Sequence, residues 1–187
     1  MLHKSIREEP ENNNAYLIEV GNLPDNVDEQ VGDVFPPETV KDFIGTGSEQ
    51  TSQDHRQKLM NLNTQQKVRL ALVANRATRS LLIQSPIKMI PLAVLKNPKL
   101  TEIEILNYAQ QRNLVEDVAL AIAKDTKWMR NYQVKLAIVS NPKTPLSVAI
   151  KFMPHLHDND LKSLSRDKTV SSILSRAAYT TLLKRKK

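Results

Sequence analysis

The sequence predicts an all-α protein, a right-handed α-solenoid of about four helix pairs preceded by a mostly extended, acidic N-terminal arm. Three observations carry this expectation. The hexapeptide Leu-Ala-x-x-x-Asn occurs at Leu70–Asn75, Leu92–Asn97 and Leu136–Asn141, and a unit copied at a regular period marks a stacked helical array. Aromatic residues make up 4% of the chain and there are four glycines, which suits helices packed through small side chains better than a β-sandwich or barrel. Helix-start and helix-stop signals recur so closely that no single helix is long enough to be stable alone. Such helices must share a continuous core.

The 187 residues suffice for one good core and a second small region. The chain has no cysteine, which excludes disulfides, zinc–thiolate sites and thiol catalysis. Met1–Pro10 has no apolar run behind its basic residues, so no secretory signal is expected. No stretch approaches the roughly 18 apolar residues of a membrane span. The expected location is the cytoplasm.

The net charge of +7 is unevenly divided. Residues 1–60 hold five Lys/Arg against twelve Asp/Glu, a balance of −7, and residues 61–187 hold twenty-two against eight, a balance of +14. This pattern reads as an acidic tail beside a basic domain. The expected division is an acidic arm and linker over 1–53 and a basic helical-repeat domain over 54–187.

Within the arm, Glu8–Asn14 is polar and Asn-rich, and Gly45–Gln53 reads as a polar linker. Two apolar islands stand between, Ala15–Val20 and Pro37–Ile44, and the second opens like a helix with proline in its first turn. Further on, Leu59, Leu62, Val68, Leu70, Leu72 and Val73 suit one helical face. Asn97-Pro98 and Asn141-Pro142 each stop a helix. Thr101 with Glu104 forms a capping box, Thr144-Pro145 reads as a cap and first helical position, and Asp158 or Asn159 and then Thr169 are candidate caps for the last two helices. The expected helices run over 54–74, 76–84, 88–96, 102–112, 115–124, 130–140, 145–155, 159–165 and 170–184.

Val68–Asn75, Leu92–Pro98 and Val134–Pro145 resemble units of HEAT-like and leucine-rich-repeat-variant bacterial proteins, and the Asn-Pro-x-Thr-Pro link at Asn141–Pro145 resembles the latter. Arg79–Ile83, Ala93–Pro98 and Trp128–Ala137 resemble an uncharacterised set of bacterial helical-repeat proteins. The resemblance covers about residues 60–185 and leaves 1–55 unmatched. The copies are degenerate: Leu120-Ala-Ile-Ala-Lys-Asp is out of step, and Leu161-Lys-Ser-Leu-Ser-Arg-Asp lacks the alanine. The resemblance implies an interaction scaffold, and a minority of related solenoids bind nucleic acid.

The basic surface is the main functional signal. Lys96, Lys99, Lys124, Lys127, Arg130, Lys135, Lys143, Lys151, Lys162, Arg166 and Lys168 are the candidate surface cations. Many fall at helix ends, which in a solenoid line up along an edge and form a stripe for an acidic protein segment or a phosphate backbone. The plainer reading of each lysine is helix-dipole stabilisation and solubility. Lys127-Trp-Met-Arg-Asn-Tyr-Gln-Val-Lys135 is the most distinctive segment. Trp128 and Tyr132 share a helical face near Lys127 and Arg130, which makes either an aromatic–cationic docking patch or, for Trp128, a plug between repeats. Tyr108 with Arg112 carries the same two readings. The expected partner-binding set is Lys127, Trp128, Arg130, Tyr132, Lys135, Lys96, Lys99 and Lys143. The first expected partner is an acidic protein segment, and the second is nucleic acid.

Nothing in the chain points to catalysis. His155-Leu-His157-Asp158-x-Asp160 is metal-like in composition, but alternating histidines do not share a helical face. No serine or threonine has an adjacent His or Lys/Asp constellation, and Gly45-Thr-Gly47 lacks the strand that precedes a phosphate loop. No catalytic residue, metal or cofactor is expected. The acidic arm has two readings: a segment that folds back on the basic domain in competition with an anionic ligand, or a solubilising tail whose islands, Tyr16–Val20 and Val40–Ile44, dock on another protein.

Overall fold

The computed structural model describes residues 43–44 and 53–185. Among the described residues are eleven α-helices, one 3₁₀ turn and no strand. The islands Ala15–Val20 and, apart from Phe43 and Ile44, Pro37–Ile44 lie outside them, as does the linker before Gln53.

The helices are α1 (Gln53–Asn61), α2 (Thr64–Val73), α3 (Arg76–Leu82), α4 (Met89–Val94), α5 (Glu102–Gln110) and α6 (Glu116–Lys124). They continue with α7 (Thr126–Met129), α8 (Tyr132–Ser140), α9 (Leu146–Phe152), the 3₁₀ turn Met153–His155, α10 (Asp158–Arg166) and α11 (Ser172–Arg185). Most expected helices are present. The expected helix over 54–74 is two, because Asn63 makes a capping box that starts α2: its Oδ1 accepts from Gln66 N at 2.8 Å, and its own N–H donates to Gln66 Oε1 at 3.0 Å. The short α7 has no counterpart in the sequence reading. It forms because Asp125 ends α6 and accepts from Lys127 N at 2.8 Å, which starts a new turn at once.

The three Leu-Ala-x-x-x-Asn copies end in two ways. Asn75 runs directly into α3 and caps it, accepting from Thr78 N at 2.9 Å. Asn97 and Asn141 are buried and are followed by proline. Each accepts from the backbone N–H two residues on, Lys99 N at 2.9 Å and Lys143 N at 2.8 Å, the turn an asparagine side chain makes with its own backbone. Each then donates its amide to the end of another helix. Asn97 Nδ2 reaches Ala71 O at 2.9 Å and Ala74 O at 3.2 Å on α2, and Asn141 Nδ2 reaches Ala109 O at 2.7 Å and Gln111 O at 2.9 Å on α5. The last carbonyls of a helix have no partner within it, so each asparagine closes its own helix and an earlier one.

Two expected caps act differently. Thr144 does not cap α9; its hydroxyl turns back and donates to Ile138 O at 2.6 Å. Before α11, Thr169 donates its N–H to Asp167 Oδ1 at 2.7 Å, and Ser171 Oγ receives Leu174 N at 3.2 Å. At α10 the N-cap position is His157, with no side-chain cap.

The larger packing contacts join helices at most three places apart in order. α2 packs on α4, α4 on α6, α5 and α6 on α8, α8 on α9, α9 on α11 and α11 on α10. One apolar cluster runs from Phe43 through Leu70, Ile83, Ile105 and Ile122 to Ile138. A second, from Val139 to Ala178, adjoins it within α8, with Phe152 packed against both. Phe43, 1% exposed, belongs to the first cluster. Its carbonyl accepts from Asn75 N at 2.8 Å and Thr78 Oγ1 at 3.2 Å, and its ring meets His55 edge-on with centroids 4.6 Å apart.

At the centre of the first cluster, Arg79 of α3 and Glu104 of α5 form a buried pair. Arg79 Nε donates to Oε1 at 2.9 Å and Nη2 to Oε2 at 2.8 Å. The remaining guanidinium donors reach Ala74 O at 2.7 Å and Lys99 O at 3.3 Å. Glu104 also completes the expected capping box, receiving Thr101 N at 3.1 Å and Thr101 Oγ1 at 2.9 Å, and Tyr108 Oη donates to Oε1 at 3.4 Å. Burial pushes the Glu104 carboxyl up, but the hydrogen bonds of Arg79 and Thr101 with the Arg79 charge outweigh it and hold the group below its ordinary value. Burial, and then the Glu104 charge, raises the Tyr108 phenol well above the usual tyrosine range.

Two outcomes follow for stability. Asn141→Ala strips two carbonyls of their donor and is expected to cost about 1–3 kcal/mol in chemical denaturation. Arg79→Met leaves Glu104 charged and unpaired and is expected to cost about 3–5 kcal/mol, whereas Arg79→Met with Glu104→Met restores most of the loss. Because Glu104 titrates lower in the folded state, its contribution is complete at neutral pH and is lost as pH falls from the ordinary glutamate range through the lower folded value. The double variant loses this part of the acid sensitivity, read by unfolding midpoints between neutral and acid pH.

Candidate functional site

The expected binding set is divided by the fold. Lys96, Lys99, Lys127, Arg130 and Lys143 are exposed, and Lys135 is half-buried. Trp128 is only 6% exposed and belongs to the first apolar cluster. It is therefore a plug and not a stacking surface: α7 packs on α6 and α8, and the indole is enclosed in that cluster. What remains outside is Lys127, whose Nζ lies 4.4 Å from the indole centroid and covers its rim. Tyr132 is half-buried and engaged: its hydroxyl donates to Asp160 Oδ2 and accepts from His157 N at 2.9 Å, and the His157 ring lies on it with centroids 4.2 Å apart. Burial and the Asp160 carboxylate raise its phenol above the ordinary value. The sequence places Trp128 and Tyr132 on one helical face; the structure puts them on separate helices, α7 and α8, with Trp128 in the first cluster and Tyr132 packed against the second at the start of α10. Tyr108 is likewise buried on Glu104, while Arg112 is exposed.

The metal-like run at the start of α10 is used in packing. Asp158 pairs with Arg185 of α11, which also donates to Leu156 O at 2.9 Å, while Asp160 holds Tyr132. Among the described residues no three His, Cys, Asp or Glu side chains gather in a metal-holding group.

The exposed lysines are placed by the turns that end the helices. Asn97, Asp125 and Asn141 each accept a hydrogen bond from the N–H two residues on, and those residues are Lys99, Lys127 and Lys143. All three lysines are exposed. The cations do not share one edge. Asn131, the cap of α8, donates to Glu102 Oε2 at the start of α5 at 3.1 Å, while Asn141 reaches Ala109 and Gln111 at its end. α5 and α8 are therefore parallel. Lys96, Lys99, Lys127 and Arg130 gather toward the α5 start, and Lys143 stands at the α5 end, about 13 Å away along nine residues at 1.5 Å each.

Two ion pairs join described residues, Arg79–Glu104 and Arg185–Asp158. None of the candidate cations takes part in them. Of the eight carboxylates of residues 61–187, five are engaged by charged, hydroxyl or backbone groups of the fold: Glu104 by Arg79, Asp125 by the α7 turn, Asp158 by Arg185, Asp160 by Tyr132, and Asp167 by Thr169 N; Glu102, Glu116 and Asp117 are exposed, and Glu102 accepts from Asn131 at the start of α5. The Thr169 backbone bond, then its hydroxyl, and the Arg112 charge hold Asp167 below the usual aspartate value. Among the described residues no candidate cation is neutralised by an ion pair.

Two features of the site region have no clear sequence signal. The Arg79–Glu104 pair joins residues on separate helices. A groove of about 300 Å³ beside the end of α8 is assembled from α8, α9 and α11. No family model, curated protein or solved structure matches the chain. Among the described residues no helix is long and apolar enough to cross a membrane.

Trp128 is the only tryptophan, so fluorescence reports its environment directly. Its emission is expected to be blue-shifted and poorly quenched by acrylamide in the folded chain. Trp128→Ala should cost about 3–5 kcal/mol, and a red-shifted, freely quenched emission in folded protein would place the indole outside.

Proposed function

We propose that this chain is a non-catalytic scaffold, a right-handed α-solenoid of about four HEAT-like helix pairs, that binds an acidic protein segment on its cationic surface. The repeat reading is supported by the packing of helices against near neighbours in order, by the parallel run of α5 and α8, and by the asparagine staple used twice between helix ends. The binding reading is carried by one observation: Lys96, Lys99, Lys127, Arg130 and Lys143 are exposed and form no ion pair with a described residue. Their grouping around the ends of α5 suits an extended segment carrying carboxylates spaced along its length. The mechanism is charge complementarity on a fixed frame, which acts most strongly on encounter rate and selectivity. An acidic peptide is favoured over nucleic acid because Trp128 and Tyr132 are engaged in the fold and offer no platform for base stacking.

Fluorescence anisotropy tests this with the full chain. A labelled oligoglutamate peptide is expected to bind at low salt and to weaken as salt rises. Lys99→Glu, Lys127→Glu and Arg130→Glu together should reduce its affinity by about tenfold or more. Unchanged affinity in the triple variant, or tight binding of a labelled single-stranded oligonucleotide with none of the peptide, overturns the proposal.

A further inference from the structure

The groove beside the end of α8 is lined by Val139, Ser140, Leu146, Ala149, Ile173 and Leu174 among others. It is mostly apolar, and Ile173 on its rim is 59% exposed. It lies where the staple pattern breaks. In the first copy of the hexapeptide, the fifth residue is Ala74, whose carbonyl receives Arg79 Nη1 and the amide of Asn97. At the end of α5, Ala109 and Gln111 receive the amide of Asn141. Ser140 is fifth in the third copy. It is half-buried against the groove, and no donor from the described residues reaches its carbonyl. Beyond α9, α10 ends on Asp167 in place of an asparagine. A carboxylate has no N–H to give, and this one accepts from Thr169 N instead. Lys96, fifth in the second copy, is exposed to water, so the demand for a donor is greater at Ser140.

We infer that this groove is the docking site for the chain's own segment Asn12–Val20, which lies outside the described residues. Asn12, Asn13 and Asn14 bring the carboxamide donor that Asn97 and Asn141 supply at the other helix ends. Leu17 and Ile18 match the apolar lining. Glu11 and Glu19 bring negative charge toward Lys143, which sits between two lining residues, and Lys168, two residues before a third. Reach is sufficient. Phe43 is anchored in the core, and the 22 residues of 21–42 extend to roughly 70 Å at about 3.3 Å each. A fold of this size has a radius of gyration of only about 14 Å. Docking closes the α8 end with the same chemistry that closes the ends of α2 and α5. It uses the groove and not the cations at the start of α5, and it shares only Lys143 with the acidic-partner reading.

The chain has no cysteine, so an engineered pair is read without background. The full chain carrying Leu17→Cys and Ile173→Cys is treated with a short bis-maleimide at low protein concentration, with folding checked by circular dichroism. Most of the protein is expected to cross-link within one chain, seen as a mobility shift of the monomer. The control pair, Leu17→Cys with Ile103→Cys, places the second thiol at a comparably exposed site at the start of α5 and should cross-link several-fold less. Adding Asn12→Asp, Asn13→Asp and Asn14→Asp to the first pair removes the amide donors and should lower its yield several-fold. Equal yields at Cys pairs 17/173 and 17/103, or none at either, overturn the assignment. A cross-linked dimer assigns the groove to a second copy and also overturns docking within the chain.

Discussion

The Arg79–Glu104 pair ties α3 to α5 through two hydrogen bonds of 2.8–2.9 Å, and five further contacts attach it to the end of α2, the turn before α5 and the body of α5. A guanidinium fork meets a carboxylate in one geometry. The pair therefore sets how three helices approach one another. Its net contribution to stability is small beside that of an apolar replacement of the same size, but its demand for partners is absolute, since an unpaired charge inside the cluster costs several kcal/mol. The directions of α3 and α5 are fixed by that demand.

The same constraint governs the other junctions. The described helices are mostly six to ten residues long, with α7 shorter and α11 longer, so a large share of their backbone carbonyls lie in a last turn without internal partners. Asn97 and Asn141 solve this twice, each closing its own helix and an earlier one. Thr144 covers Ile138 O, and Arg79 covers Ala74 O. The surface charge is a by-product of the same turns. At three such turns the residue two places past the capping side chain is an exposed lysine. Structure and charge are thus set by one local motif.

The parts of the fold visible in the sequence are those governed by short-range rules. The capping box Thr101–Glu104 and the stop at Asn141-Pro142 depend on residues within three or four positions, and they occur as expected, whereas α4 already ends at Val94, ahead of Asn97-Pro98. The break at Asn63 is local too, but an apolar face that continues across it hides it. Thr144 shows the limit of local reasoning. Its position before Pro145 suits a cap, yet a carbonyl six residues back competes for the same hydroxyl and takes it. In the candidate site, exposure of the lysines follows from sequence, while the fate of Trp128 and Tyr132 depends on which cluster each enters, Trp128 the first and Tyr132 the second.

The sequence by itself determined that the described chain is helical, where most helices begin and end, and that the excess positive charge lies among residues 61–187. These follow from hydrogen bonding and composition over a few residues. The tertiary structure alone decided that Arg79 and Glu104 meet, that Phe43 enters the core and that Trp128 is enclosed. It also divided the cations between the two ends of α5 and left a groove beside α8. Each of these depends on which helix ends come together, and that is settled by buried polar groups finding partners far away in the chain.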